Sequence, residues 1–138
     1  MVAQTKCQNY IEELTSGNTI VFGTTNTFKA ALHSDAMVAA TDTSLTDLTQ
    51  VTGTGYVAGG ADIQNDADRT GDTVTMTAVD NQWTAGAGDW GTFQYIGFYD
   101  DTSTGDYLMS DVDYGSGVAL GNGETFTITY GASLGTWA

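Results

Sequence analysis

Gly88-Asp89-Trp90-Gly91-Thr92-Phe93-Gln94-Tyr95-Ile96-Gly97-Phe98-Tyr99-Asp100-Asp101 is the stretch on which the fold turns. Its middle is too apolar for a surface loop, and its glycines and β-formers suit no helix. It reads as a buried strand over Phe93 to Tyr99 with turns at both ends. Successive side chains on a strand alternate faces, so Tyr95, Phe98 and Tyr99 cannot all enter one interior. Some of them must meet a second sheet, a helix or a neighbouring subunit.

The same period continues on both sides. Downstream, Asp100 to Asp106 reads as a hairpin turn, and Tyr107 to Asp113 as a returning strand with Leu108, Ser110 and Val112 on one face. Gly115 to Gly123 reads as a turn, and Thr125 to Tyr130 as a closing strand with Phe126, Ile128 and Tyr130 inward. Upstream, Trp83 starts an apolar patch before the Gly86-Ala87-Gly88 turn, and Thr73 to Val79 is a strand with Val74, Met76 and Ala78 on one face. Asn65 to Asp72 reads as an acidic turn, and Val51 to Gly60 as a turn leading into a short strand. Ser34 to Thr49 looks like a long polar loop with one helical turn. Before it, Phe28, Ala30 and Leu32 alternate with Lys29, Ala31 and His33 as a half-buried strand.

Only the beginning of the chain departs from this period. Cys7, Tyr10, Ile11 and Leu14 fall at i, i+3, i+4 and i+7 and predict an amphipathic helix over Gln4 to Leu14, stopped by Gly17. The expected layout is one domain: a helix within residues 1–18 packing on an all-β body over residues 19–138. That body is expected to be an antiparallel β-sandwich or jelly roll.

Composition narrows the function. The chain has 138 residues and is 41% hydrophobic, enough for a real core, and its 15 aromatics favour sheet. Proline is absent, so glycine and Asx residues must make the turns. The net charge of −14 rests on 17 acids against Lys6, Lys29 and Arg69. Such a chain repels phosphate backbones and anionic membranes, which excludes nucleic acid and lipid surfaces as partners. The lone Cys7 makes no intrachain disulfide and is expected to be buried filler. No leader pattern and no apolar run of bilayer length is visible, so the expectation is a soluble, unexported chain.

Three apparent motifs dissolve on inspection. Gly86-Ala87-Gly88-Asp89-Trp90-Gly91 matches G-x-G-x-x-G, but a β-run follows where a phosphate-binding helix is needed, and Asp89 would repel the phosphates. Gly53-Thr54-Gly55-Tyr56-Val57-Ala58 fails for the same missing helix. Gly131-Ala132-Ser133-Leu134-Gly135 matches the nucleophile elbow, yet only three residues follow it and the sole histidine, His33, lies far upstream. His33 itself reads as a structural or solvent-facing residue at a strand end. Asp111 and Asp113 share a strand face; glycosidases need opposed carboxylates about 5–10 Å apart across a cleft, so a solvated acidic face is the better reading. Asp100, Asp101 and Asp106 crowd one turn, and Asp62, Asp66, Asp68 and Asp72 another. Calcium takes oxygens from such loops, but neither has EF-hand spacing. Ca²⁺ is the one cofactor that this pattern raises, and Asx-turn chemistry is the plainer account.

Taken in order, the elements resemble a group of small structural proteins of tailed bacteriophages that are encoded among virion genes. The resemblance rests on a short N-terminal helix ending in glycine, then Phe28 to Leu32 (FKAAL) and Val51 to Gly60 (VxGxGYxxGG). It continues through a Trp-containing strand, Trp90 to Asp101 (WGxxxYxxxYDD) and Gly123 to Thr125 (GET), and spans roughly Gln4 to Tyr130. The acidic loops depart from the pattern. What the resemblance implies is virion assembly without catalysis: a particle-surface protein made in the host cytoplasm. Its partners would be copies of itself and the major capsid protein or tail proteins. On that view it is a capsid decoration or cement protein, and the alternative is a tail or fibre module that binds the host surface or a glycan. Tyr10, Ile11, Leu14, Tyr56, Trp90, Phe93, Tyr95, Phe98 and Tyr99 are the expected carriers of fold and interface.

Overall fold

A computed structural model describes residues 3–7, 26–131 and 135–137. The regular structure of the described residues is strand apart from one 3-10 turn. β1 (Ala3–Lys6), β2 (Phe28–His33), β3 (Ala61–Asp62), β7 (Phe93–Asp100) and β8 (Tyr107–Val118) form an antiparallel sheet in the order β1-β8-β7-β2-β3. β4 (Asp66–Thr70), β5 (Thr73–Thr77) and β10 (Gly135–Trp137) make a second sheet in the order β10-β5-β4. β6 (Asn81–Thr84) and β9 (Thr125–Ile128) pair as a third. The fold class is therefore all-β and antiparallel.

The aromatic stretch is the central strand of the largest sheet. β7 is paired along both edges, with Ile96 opposite Leu32 on one side and Val112 on the other. Phe93 is completely buried and meets Phe126 of β9 edge-on, ring centroids 4.9 Å apart. Trp83, opposite Phe126 within the two-stranded sheet, packs 6.4 Å from it. The Phe93–Phe126 contact joins the two-stranded sheet to the five-stranded one, and such a pair adds roughly 1 kcal/mol to area burial.

Several expectations need correction. The helix expected over Gln4 to Leu14 begins instead as β1: Ala3 to Lys6 lie opposite Asp113 to Ser110, and the Cys7 N–H continues the pairing to the Met109 carbonyl. A short helix is marginal by itself, whereas the open edge of β8 offers hydrogen-bond partners to alternate residues of the segment. Tyr10, Ile11 and Leu14 lie outside the described residues. Cys7 is buried, as its residue type suggests, and its thiol donates to the Asp42 carbonyl at 3.2 Å.

The acidic turn expected at Asn65 to Asp72 is mostly β4, and only Gly71 and Asp72 turn the chain into β5. Asp66 and Asp68 point outward with Ala67 between them, so a charged edge strand was hidden by its own acidity. The turn expected from Gly115 begins later, because β8 runs to Val118. Val51 to Gly60 forms successive turns, and the short strand is Ala61–Asp62. In β2 the expected alternation fails: Ala31 and His33 are as buried as Ala30 and Leu32, since both faces of this strand are covered. The 34–49 connection is a long loop with one 3-10 turn at Leu45–Asp47.

Candidate functional site

The chain's one histidine sits where β2, β7, β8 and the 34–50 connection meet. His33 ends β2 with its ring fully buried. Tyr95 lies beside it in the β2–β7 register, and the two rings stack at 5.6 Å with 26° between their planes. Gly97, opposite Asp111 on β8, leaves the space for this ring; a Cβ there would lie 3.2 Å from both His33 Nε2 and Leu48 Cδ1.

Through that gap Asp111 Oδ1 approaches His33 Nε2 at 3.0 Å, while Asp111 Oδ2 accepts the Met37 N–H at 3.0 Å. His33 Nδ1 lies 2.7 Å from the Asp35 carbonyl oxygen. The Asp35 carboxylate, its Oδ1 3.7 Å from Nδ1, accepts the Thr49 N–H at 2.8 Å and the Thr49 hydroxyl at 3.0 Å. Burial raises the Asp35 pKa, but the Thr49 bonds, its own backbone N–H and the His33 charge together hold it below the usual carboxylate range. Asp111 is 3% exposed, so the solvated acidic face expected at Asp111 and Asp113 is corrected at its first member. Asp113 is bound by Gln94 Nε2 at 3.0 Å and the Gly115 N–H at 2.7 Å, and these bonds lower its pKa.

The second cluster is the β7–β8 turn. Asp100 is wholly buried; Oδ2 accepts from Asn26 Nδ2 at 2.7 Å, and Oδ1 from the Thr102 N–H at 2.9 Å. Asp101 Oδ2 pairs with Lys29 Nζ at 2.8 Å. Asp106 faces these charges. Its pKa is raised by burial first and then by Asp101, with Lys29 opposing. Among the described residues, no group of three or more His, Cys, Asp or Glu side chains is arranged to hold a metal ion. The oxygens of Asp100 and Asp101 engage donors of the chain itself.

The residues expected to carry fold and interface divide by depth. Trp90, Phe93 and Tyr99 are interior. Trp90 Nε1 donates to the Thr54 carbonyl at 2.8 Å, and the Tyr99 hydroxyl to the Gly59 carbonyl at 2.6 Å, so both fasten the 51–60 turns. Burial pushes the Tyr99 hydroxyl pKa far up, with Asp101 adding to it. Tyr56, Tyr95 and Phe98 are half-buried. The Tyr56 oxygen accepts the Leu32 N–H at 3.0 Å, its ring meets Trp90 edge-on at 5.5 Å, and Phe98 meets Tyr130 at 6.0 Å.

A pattern that motif reading missed runs through the described residues. Asp35, Asp42, Asp47, Asp62, Asp66, Asp80, Asp100, Asp111, Asp113 and Glu124 each accept a backbone N–H. Seven of them do so within four residues, and three (Asp62, Asp100 and Asp113) accept the N–H two residues on, the Asx-turn geometry that a chain without proline needs. The His33–Asp111 pairing spans 78 residues, and its signal was the register of the β7–β8 hairpin, which sets Gly97 between them. Comparison with known families, curated proteins and solved structures finds no match to this chain.

Proposed function

We propose that this protein is a non-enzymatic structural subunit of a tailed-phage particle, an antiparallel sandwich that decorates the outer capsid as a cement protein. The observation that carries the reading is the use made of the acidic side chains. Asp35 and Asp111 beside His33, and Asp100 and Asp101 at the β7–β8 turn, are engaged by donors of the chain and fasten loops to sheets. Both His33 ring nitrogens face oxygens of the chain within a sealed site, so the ring has no free nitrogen to offer a substrate as a base. Acidity of −14 suits the outside of a DNA-filled shell better than its interior, and the order of sequence elements resembles virion proteins.

The test is binding of purified protein to expanded capsids stripped of accessory subunits, with tails and host cells as comparisons. Saturable capsid binding at a copy number matching surface lattice sites is the expected outcome. Binding to tails alone overturns the capsid assignment, and binding to host cells alone replaces it with a receptor-binding module.

A further inference from the structure

The turn that leads into β9 carries the chain's one Asn-Gly pair, Asn122-Gly123. The Glu124 N–H donates to the Gly121 carbonyl at 3.0 Å and closes the turn, and Gly123 takes φ +82 at its third position, as a type II turn requires. Asn122 and Gly123 are both exposed, and no atom outside the turn crowds the place where a Gly123 side chain would stand. The other described asparagines differ. Asn26, Asn65 and Asn81 are buried, with their side-chain amides bound to Asp100, to Phe28 and Asn26, and to Asp62 and Tyr130. A residue with a side chain follows each of them, Thr27, Asp66 and Gln82, and hinders approach to the intervening peptide nitrogen.

We propose that Asn122 is a site of spontaneous deamidation and that the Gly123–Ala85 hydrogen bond sets its rate. The Gly123 backbone nitrogen gives its proton to base and attacks Asn122 Cγ. The N–Cγ bond forms and the Cγ–Nδ2 bond breaks. The proton returns to the leaving nitrogen, which departs as ammonia. Water then opens the resulting succinimide at either carbonyl. One opening leaves aspartate at position 122, and the other leaves isoaspartate, whose main chain runs through the former side-chain carbon.

The nitrogen does not attack while its hydrogen is held. The Gly123 N–H donates to the Ala85 carbonyl at 2.8 Å, and the Ala85 N–H donates to the Glu124 carbonyl at 2.9 Å. Glu124 Oε2 braces the turn from within by accepting the Gly121 N–H at 2.7 Å. Reaction therefore waits for local opening at this end of the β6–β9 pair, which leaves the rest of the fold in place. Either product adds a negative charge to a turn that two acids already border, since a Cβ on Gly121 would lie 3.5 Å from Glu124 Oε2 and 3.7 Å from Asp89 Oδ1. Isoaspartate also lengthens the backbone of the turn by one carbon. Both products loosen the turn that protected their precursor.

The full chain, incubated at mildly alkaline pH with and without urea and then digested, tests this by mass spectrometry of amide-to-acid conversion. Asn122 is expected to convert first among Asn9, Asn18, Asn26, Asn65, Asn81 and Asn122. Its rate in the folded chain should be roughly tenfold below its rate in urea, the protection that one local opening step supplies. Glu124→Ala removes the brace and should recover most of that factor. Glu124→Gln removes the charge but keeps an acceptor, and should stay near the wild-type rate. Earlier conversion of another asparagine in the folded chain, an equal rate in urea, or equal rates in the two Glu124 variants overturns the proposal. Should Glu124→Ala fail to fold, amide exchange of wild-type Gly123 decides. A protection factor there that matches the ratio of the two deamidation rates supports the gate, and a mismatch overturns it. None of this depends on where the protein sits in a particle.

Discussion

Single residues in this chain answer to backbone geometry as much as to chemistry. Gly60 has φ +71, and a Cβ there would run into the Ala30 carbonyl oxygen on β2. Gly71 has φ +62 in the β4–β5 turn, with open space where a Cβ would go. Gly71→Ala should therefore cost only the left-handed backbone penalty, about 1 kcal/mol. Gly60→Ala adds a collision with a paired strand and should cost about 3 kcal/mol. Urea midpoints for the two variants separate the effects, and equal losses would mean that β2 yields to the methyl group. Asp106 combines φ 47 with neighbouring like charge. Its raised pKa means that the folded state favours the protonated form. Its ionised form thus subtracts stability, and the loss grows as pH climbs from the ordinary carboxylate value of 3.8 through the folded one. Asp106→Asn removes the charge and tolerates the left-handed backbone. It should stabilise by about 0.5 kcal/mol at pH 7 and by nothing at pH 3. A gain that persists at pH 3 would assign the effect to backbone preference alone.

At the scale of elements, the 34–50 connection depends on carboxylates where a longer helix would depend on its own hydrogen bonds. Asp47 Oδ2 accepts the Thr43 and Ser44 N–H groups at 2.9 and 3.0 Å, which lowers its pKa and sets the 3-10 turn. Asp47→Ala should cost about 1 kcal/mol, the worth of a lost cap, with faster amide exchange confined to the turn. Because the folded pKa values of Asp35 and Asp47 are both depressed, their contributions are present above the ordinary value of 3.8 and vanish as pH falls through the folded values. Acid titration followed by near-UV circular dichroism should show loss of stability below about pH 4. The element scale is also where sequence reading succeeds and fails. Strands with an apolar face, β5, β7, β8 and β9, were legible because burial writes period two into the chain. β1 and β4 were not: one carries a helical spacing that edge pairing overrides, the other an acidic edge whose alternation is Asp-Ala-Asp. β10 follows a Gly-Ala-Ser stretch and has three residues, too few to show any period. The His33–Asp111 site needed the register of three strands, and no local pattern supplies that.

Across the whole molecule, charge opposes what packing and turn chemistry build. Seventeen acids against three Lys and Arg residues leave −14 on 138 residues, and the one Lys–carboxylate pair among the described residues is the half-exposed Lys29–Asp101. Self-repulsion acts over the Debye length, about 30 Å at 0.01 M salt and about 8 Å at 0.15 M. Salt should thus shorten the repulsion from molecular to local range. It also weakens the Lys29–Asp101 pair, but an exposed pair contributes less than about 1 kcal/mol, so the net sign is stabilising. Thermal unfolding in 0.01 to 0.5 M NaCl should show a rising Tm, on the order of 5 °C for a gain of about 1 kcal/mol. Choline chloride should reproduce the rise, because screening does not distinguish monovalent cations. CaCl₂ at matched ionic strength provides the sharper comparison. Asp100 has both oxygens engaged by Asn26 and Thr102, and Asp101 is paired with Lys29, so calcium should exceed sodium only by its greater screening valence. A saturable calcium gain at micromolar concentration would mean that the β7–β8 turn exchanges those donors for a cation. A Tm that is flat or falling with NaCl would mean that the carboxylate–backbone bonds, rather than repulsion, dominate the salt response.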